Sequence, residues 1–233
     1  MMPVVILAGG LATRLGSLTV DTPKSLIRIN EIPFVIHQLN LLKESGFDSI
    51  HFCLGYLGEK IEEIIRKHEI SIFFKISFSY DGLSQLGTGG AIKNTLNSLP
   101  EFFFVMYGDS YLRVDYRKIE AYFNKNKNSS KNNLMTIINN KNRWDKSNVV
   151  FKGNKILSYS KGKASEDMNY IDYGLSIFSS ETFDKINKNI KFDLSNYLSF
   201  LAKKDLLLPY EITNRFYEVG SLKGINDLTK LLK

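Results

Sequence analysis

The chain has 233 residues, 43% hydrophobic and 24% charged, enough to pack one large domain without a disulfide or a structural metal. A single cysteine, Cys53, excludes an internal disulfide and fits a reducing compartment, and no stretch approaches the roughly 20 apolar residues of a membrane span. The net charge of +7 favours anionic partners, but the lysines are scattered and mixed with asparagine, most densely over residues 124–141, which argues against a nucleic-acid surface and for small phosphorylated ligands.

Residues 4–8 form a continuous apolar run that ends in Gly9-Gly10, the pattern of a buried parallel strand entering a loop. With no basic region before it the run is unlike a signal peptide, so a cytoplasmic protein is expected. Pro33 opens a helix with Phe34, Ile36, Leu39 and Leu42 on its apolar side, closed by Gly46. A strand over 50–54 precedes a helix whose inward face carries Ile61, Ile64, Ile65 and His68, supported by Glu62–Arg66 and Glu63–Lys67 spaced i,i+4. Residues 72–78 read as a strand, 91–99 as a helix and 102–107 as a further apolar strand. From Leu134 onward the runs shorten, to strands over 134–138, 148–151, 156–159 and 171–178, with a hairpin turn at Lys152-Gly153-Asn154-Lys155 and a helix over 222–232. Strands separated by helices imply right-handed crossovers, so an α/β fold is expected: a Rossmann-like, mostly parallel sheet flanked by helices, with antiparallel additions in the C-terminal half. His37, His51 and His68 have no neighbours at metal spacing and read as structural, and Cys53 reads as a buried thiol.

The chemistry is carried by five ordered segments. Leu7-Ala8-Gly9-Gly10 is followed by Thr13-Arg14-Leu15 and then Thr22-Pro23-Lys24-Ser25-Leu26. Glycines after a first strand let backbone amides approach a phosphate, yet neither the Walker nor the dinucleotide spacing is present. Next come Gln85-Leu86-Gly87-Thr88-Gly89-Gly90-Ala91-Ile92, then Tyr107-Gly108-Asp109 at a strand's carboxyl end, then Tyr170-Ile171-Asp172-Tyr173-Gly174, and last Phe216-Tyr217-Glu218-Val219-Gly220. In this order they resemble the signature of the sugar-phosphate nucleotidyltransferase family, nearest its small heptose- and mannose-1-phosphate guanylyltransferase-like members.

That resemblance implies a single domain over residues 1–233, with a nucleotide-binding half at 1–130 and a sugar-phosphate-binding half at 131–233. It implies an enzyme that joins a nucleoside triphosphate to a sugar 1-phosphate and releases pyrophosphate. Leu7, Ala8, Gly9 and Gly10 would hold the nucleotide, with Gln85 and Gly90 at its base; Arg14, Lys24 and Asp109 would be catalytic; Lys161 and Asp172 would meet the sugar phosphate. Asp109 and Glu218 would hold Mg2+, which suits two protein oxygens plus phosphate and water. The chain departs from the family at Glu218, where a shorter Asp is usual, at Ser160, where Glu usually precedes the lysine, and at Asp172. The base, the sugar and the oligomeric state are left open. An acceptor such as phosphocholine, with another nucleotide, is one alternative reading; a non-catalytic nucleotide-sugar-binding protein is the other.

Overall fold

The computed structural model describes residues 1–10, 21–82, 85–163, 165–188 and 190–233. After β1 (Val4–Ala8) come the small pair β2 (Arg28–Ile29) and β3 (Ile32–Pro33), then α1 (Phe34–Glu44), β4 (Ser49–Leu54), α2 (Gly58–Lys67), β5 (Lys75–Tyr80) and α3 (Gly87–Thr95). The chain continues through β6 (Phe102–Tyr107), β7 (Ser110–Tyr111), α4 (Tyr116–Asn126), β8 (Asn133–Asn139), β9 (Val149–Lys152), β10 (Lys155–Tyr159) and β11 (Tyr170–Ser179). It closes with α5 (Leu194–Lys203), β12 (Leu207–Ile212), β13 (Tyr217–Glu218) and α6 (Leu222–Leu231).

Four strands run parallel in the order β5-β4-β1-β6, so in chain order the third, second, first and fourth lie side by side. Strand β11 then pairs antiparallel with β6 and carries both the β9–β10 hairpin and β8, to which β12 is added, which makes one nine-stranded sheet among the described residues. The uninterrupted apolar character of β1 has a packing cause. Val4 and Ile6 face a core with Leu39, Ile61 and Ile119 from α1, α2 and α4, whereas Val5 and Leu7 face another with Ile92 and Leu198 from α3 and α5. The strand order reverses between β1 and β6, and open α/β sheets take their ligands beyond the carboxyl ends of the strands at such a point. Gly9-Gly10 and Gly108-Asp109 are the residues that leave those two ends.

Four expectations from the sequence shift. The apolar residues at 70–73 belong to a 3-10 turn that leaves Ile72 and Phe73 exposed, so the edge strand β5 starts only at Lys75 and runs to Tyr80. Gly87 to Gly90 form the first turn of α3 and not a loop ahead of it, because the N–H groups of Gly89 and Gly90 both donate to the Phe192 carbonyl. The second half is also not wholly antiparallel: β12 runs parallel to β8, reached through α5. His68 caps the turn after α2 and lies outside that helix.

His51 sits on β4 with its ring nitrogens 2.7 Å from Ser77 Oγ and 2.6 Å from Thr95 Oγ1, and burial lowers its pKa to about 4. The unfolded chain, with a histidine pKa near 6.5, therefore binds more protons than the native one between those values. Stability falls as pH drops through that window, by about 3 kcal/mol at its acid end. Relative to its own value at pH 7, the urea midpoint of His51→Gln should fall less by pH 4.5 than that of the wild-type protein. Parallel pH profiles for the two would refute the assignment.

Candidate active site

A cavity of about 170 Å³ opens at the switch point. Leu7, Ala8, Gly9 and Gly10 line it from β1 and the turn after it, Gln85 and Gly87 from the start of α3, and Lys24 and Asp109 contribute charged groups. Gly90 is not among the lining residues; a side chain there would strike the Ile190 carbonyl, so its missing Cβ serves the contact between α3 and residues 190–193. Arg14 lies outside the described residues.

Lys24 reaches the site from a short 3-10 turn, and its Nζ is 3.1 Å from Asp109 Oδ2, with both side chains largely buried. The turn bearing Asp109 is fixed from two directions. Ser25 Oγ donates to the Gly108 carbonyl at 3.0 Å, and the buried Gln38 donates from Nε2 to the carbonyls of Tyr107 and Ser110 at 3.2 and 2.9 Å. Gln38 escaped the sequence reading because it stands on the inward face of α1 among apolar residues. The one signal was a buried-face amide with no apolar reason to be there.

Glu218 comes from the far end of the chain. The two-residue strand β13 pairs with β7, setting Glu218 opposite Ser110, one residue past Asp109. Its carboxylate accepts from the Gly220 N–H and the Ser221 hydroxyl, at the amino end of α6, where helix N–H groups favour an anion. A Cβ at Gly220 would lie 2.8 Å from Glu218 Oε2, 3.2 Å from Asp109 Oδ2 and 3.4 Å from Lys24 Nζ, so the three charged groups converge on one point. Only glycine leaves that point open.

Two hard carboxylate oxygens at one place fit a divalent cation such as Mg2+, and each retains lone pairs beyond its present hydrogen bonds. Among the described residues no group of three or more His, Cys, Asp or Glu gathers at metal spacing, so Asp109 and Glu218 are the donor set on offer.

The other predicted pair lies across Tyr107. Lys161 Nζ donates to Tyr107 Oη at 3.4 Å and sits 4.7 Å from the centre of that ring. Asp172 is presented by an irregularity in β11, where Gly174 takes φ 91° and its N–H donates to Asp172 Oδ1 at 2.9 Å. Tyr159 Oη donates to the other oxygen at 3.2 Å. Burial pushes the Asp172 carboxyl up from the usual carboxylate range, against the pull of Lys161 and these hydrogen bonds. Burial, and then the charges of Asp172, Asp193 and Asp109, raise the Tyr107 phenol. Asp193 is the second residue that the sequence did not announce: it caps α5, accepts from Thr88 Oγ1 at 3.0 Å, and adds a charge beside Lys161. Tyr107 thus divides a cavity floored by glycines and closed by Lys24 from a second polar group built on β10, β11 and α5. Two ligands could meet there, with the charges of Lys24, Asp109 and Glu218 at their junction.

Comparison with known proteins identifies the family. A family model described as nucleotidyl transferase matches residues 3–200. The D-glycero-alpha-D-manno-heptose 1-phosphate guanylyltransferase of Campylobacter jejuni is 29% identical over 220 residues, which cover 94% of this chain and 95% of that protein. The choline-phosphate cytidylyltransferase of Streptococcus pneumoniae is 26% identical, covering 100% and 99%. Among solved structures, HddC from Yersinia pseudotuberculosis superposes with a TM-score of 0.84 at 26% identity over the whole of both chains, and its complex with GMP-PN with a TM-score of 0.82. No described helix is long and apolar enough to cross a membrane. With the family model spanning most of its length, the chain belongs to the nucleotidyl transferase family, among the sugar-phosphate nucleotidyltransferases.

Proposed function

We propose that the protein transfers a guanylyl group from GTP to a heptose or mannose 1-phosphate, in the cytoplasm and with Mg2+, releasing pyrophosphate. The observation that carries this reading is the convergence of Lys24, Asp109 and Glu218 on the point beside Gly220, between the glycine-floored cavity and the Lys161–Asp172 group. An acceptor phosphate oxygen attacks the α-phosphorus, the bond to the bridging oxygen breaks, and pyrophosphate departs. Two anions must approach each other, so alignment and charge neutralisation dominate the catalysis. Backbone groups from Leu7 to Gly10 hold the nucleotide, Lys24 meets the α-phosphate, and Arg14 neutralises the leaving pyrophosphate. Lys161 holds the acceptor's phosphate and Asp172 accepts from its hydroxyls. Mg2+ held by Asp109 and Glu218 would supply Lewis acidity at the phosphate oxygens.

The guanine and heptose or mannose assignments rest on the relatives from C. jejuni and Y. pseudotuberculosis. A cytidylyl transfer to phosphocholine or a similar alcohol phosphate is the second reading, supported by the S. pneumoniae relative and by the half-buried Asp172 carboxylate. Pyrophosphate release from each common triphosphate, paired with a panel of sugar 1-phosphates and phosphocholine, separates the two. Release with none of the pairs would end the transferase reading and leave a nucleotide-sugar-binding protein.

Glu218 offers a narrower test. Glu218→Asp keeps the charge and matches the family's usual residue, so it should stay active; Glu218→Gln should lose most turnover and need more Mg2+ for what remains. An unchanged Mg2+ titration in the glutamine variant would show that Glu218 does not hold the ion.

A further inference from the structure

The cavity contains one carboxylate that the proposed reaction does not use. Asp81 leaves the carboxyl end of β5 and lines the same cavity as Lys24 and Asp109, but at the opposite end. Three strand spacings of about 4.8 Å separate β5 from β6 in the order β5-β4-β1-β6, which puts Asp81 about 14 Å across the sheet from Asp109. With the phosphates at β1 and β6, as in the proposed reaction, β4 and β5 are left for the base.

On that side the lining includes Ala91 and the buried Cys53, and its polar side chains are Asp81, Gln85 and Thr88, of which Thr88 already donates its hydroxyl to Asp193 at 3.0 Å. Asp81 is held in place by the Leu86 N–H, which donates to Oδ2 at 3.2 Å; Oδ1 has no hydrogen-bond partner among the described residues. Burial raises its carboxyl, opposed by that single N–H, so the group is short of donors.

We propose that Asp81, with Gln85 beside it, selects guanine in the triphosphate. An ionised carboxylate offers acceptors only, and the amide N–H of Gln85 offers a donor, so the pair presents one donor and two acceptors. Guanine's Watson–Crick edge is the complement: O6 accepts, and N1–H and the N2 amine donate. Uracil and thymine turn O2 toward the carboxylate, while cytosine and adenine turn a ring-nitrogen lone pair toward it. Each of these leaves an acceptor against an acceptor, the kind of mismatch that discriminates most strongly between ligands. From the proposed reaction this takes only that a nucleoside triphosphate fills the cavity with its phosphates at β1 and β6.

The test needs no acceptor. Calorimetric titration of the wild-type protein, with Mg2+, should show GTP binding about 10- to 150-fold more tightly than inosine triphosphate, which lacks only the N2 amine, because one hydrogen bond to a charged group is lost. UTP should bind more weakly still. Asp81→Asn keeps an oxygen for the Leu86 N–H and swaps one acceptor for a donor. It should erase the difference between GTP and inosine triphosphate and raise the affinity for UTP, whose edge then matches. Equal binding of GTP and inosine triphosphate to the wild type, or a preference for UTP or CTP there, overturns the proposal. A GTP preference that disappears in Asp81→Asn upholds it, whether or not pyrophosphate is released with any acceptor; that second measurement bears on the transferase reading alone.

Discussion

Asp109→Ala is expected to fold like the wild-type protein and to lose at least about 100-fold in kcat/KM. Its backbone is set by others: Gln38 grips the carbonyls on either side, Ser25 holds Gly108, and Val219 N–H donates to the Asp109 carbonyl at 2.9 Å. Among the described residues the side chain's ion pair is with Lys24, at a partly exposed position, so its removal costs the fold little. The loss falls on the reaction, where a positioned charge at a developing transition state contributes on the order of 3–4 kcal/mol. An unchanged thermal melt beside a collapsed pyrophosphate signal at saturating Mg2+ is the expected pair of results. Near-wild-type turnover there would remove Asp109 from the machinery.

Lys161→Ala should weaken acceptor binding by about 10- to 150-fold and leave triphosphate binding intact. Losing a charge-assisted contact to phosphate costs roughly 1.5–3 kcal/mol, and 1.4 kcal/mol is a factor of ten. The selectivity follows from position: Lys161 is absent from the cavity lining and reaches the site over the ring of Tyr107, from the segment after β10. Its ammonium makes no ion pair among the described residues, although Asp172 and Asp193 both feel its charge, so it is available to an arriving phosphate. Separate calorimetric titrations of a non-hydrolysable triphosphate, and then of sugar 1-phosphate onto that complex, measure the two effects. A variant that loses the triphosphate and keeps the acceptor would reverse the division of the site.

The sequence made most of the parallel body legible because β1, β4 and β6 are dense apolar runs with a glycine at each exit. It was weaker where hydrophobicity misleads. Ile72 and Phe73 look like strand residues yet lie exposed, since the chain needs a turn between α2 and the sheet edge. Helix α5 and strand β12 were passed over because they follow a lysine- and asparagine-rich stretch that shows no period. Of the site, the residues on strand exits could be read in order along the chain. Gln38 and Asp193 could not, because each acts through contacts with segments about 70 to 105 positions away. Asp81 could not either: only the strand order puts it in the same cavity as Lys24 and Asp109.

The pairing of β13 with β7 also sets the order in which the enzyme comes into being. Strands β1, β4, β5 and β6 and the residues that line the cavity are made first during synthesis, and β12 is the last strand to join the large sheet. Glu218 follows it, and its position is fixed only once α6 supplies the Gly220 and Ser221 groups that hold its carboxylate. On the proposed reaction, a chain still on the ribosome therefore lacks its second acid until residues 217–231 have emerged and docked.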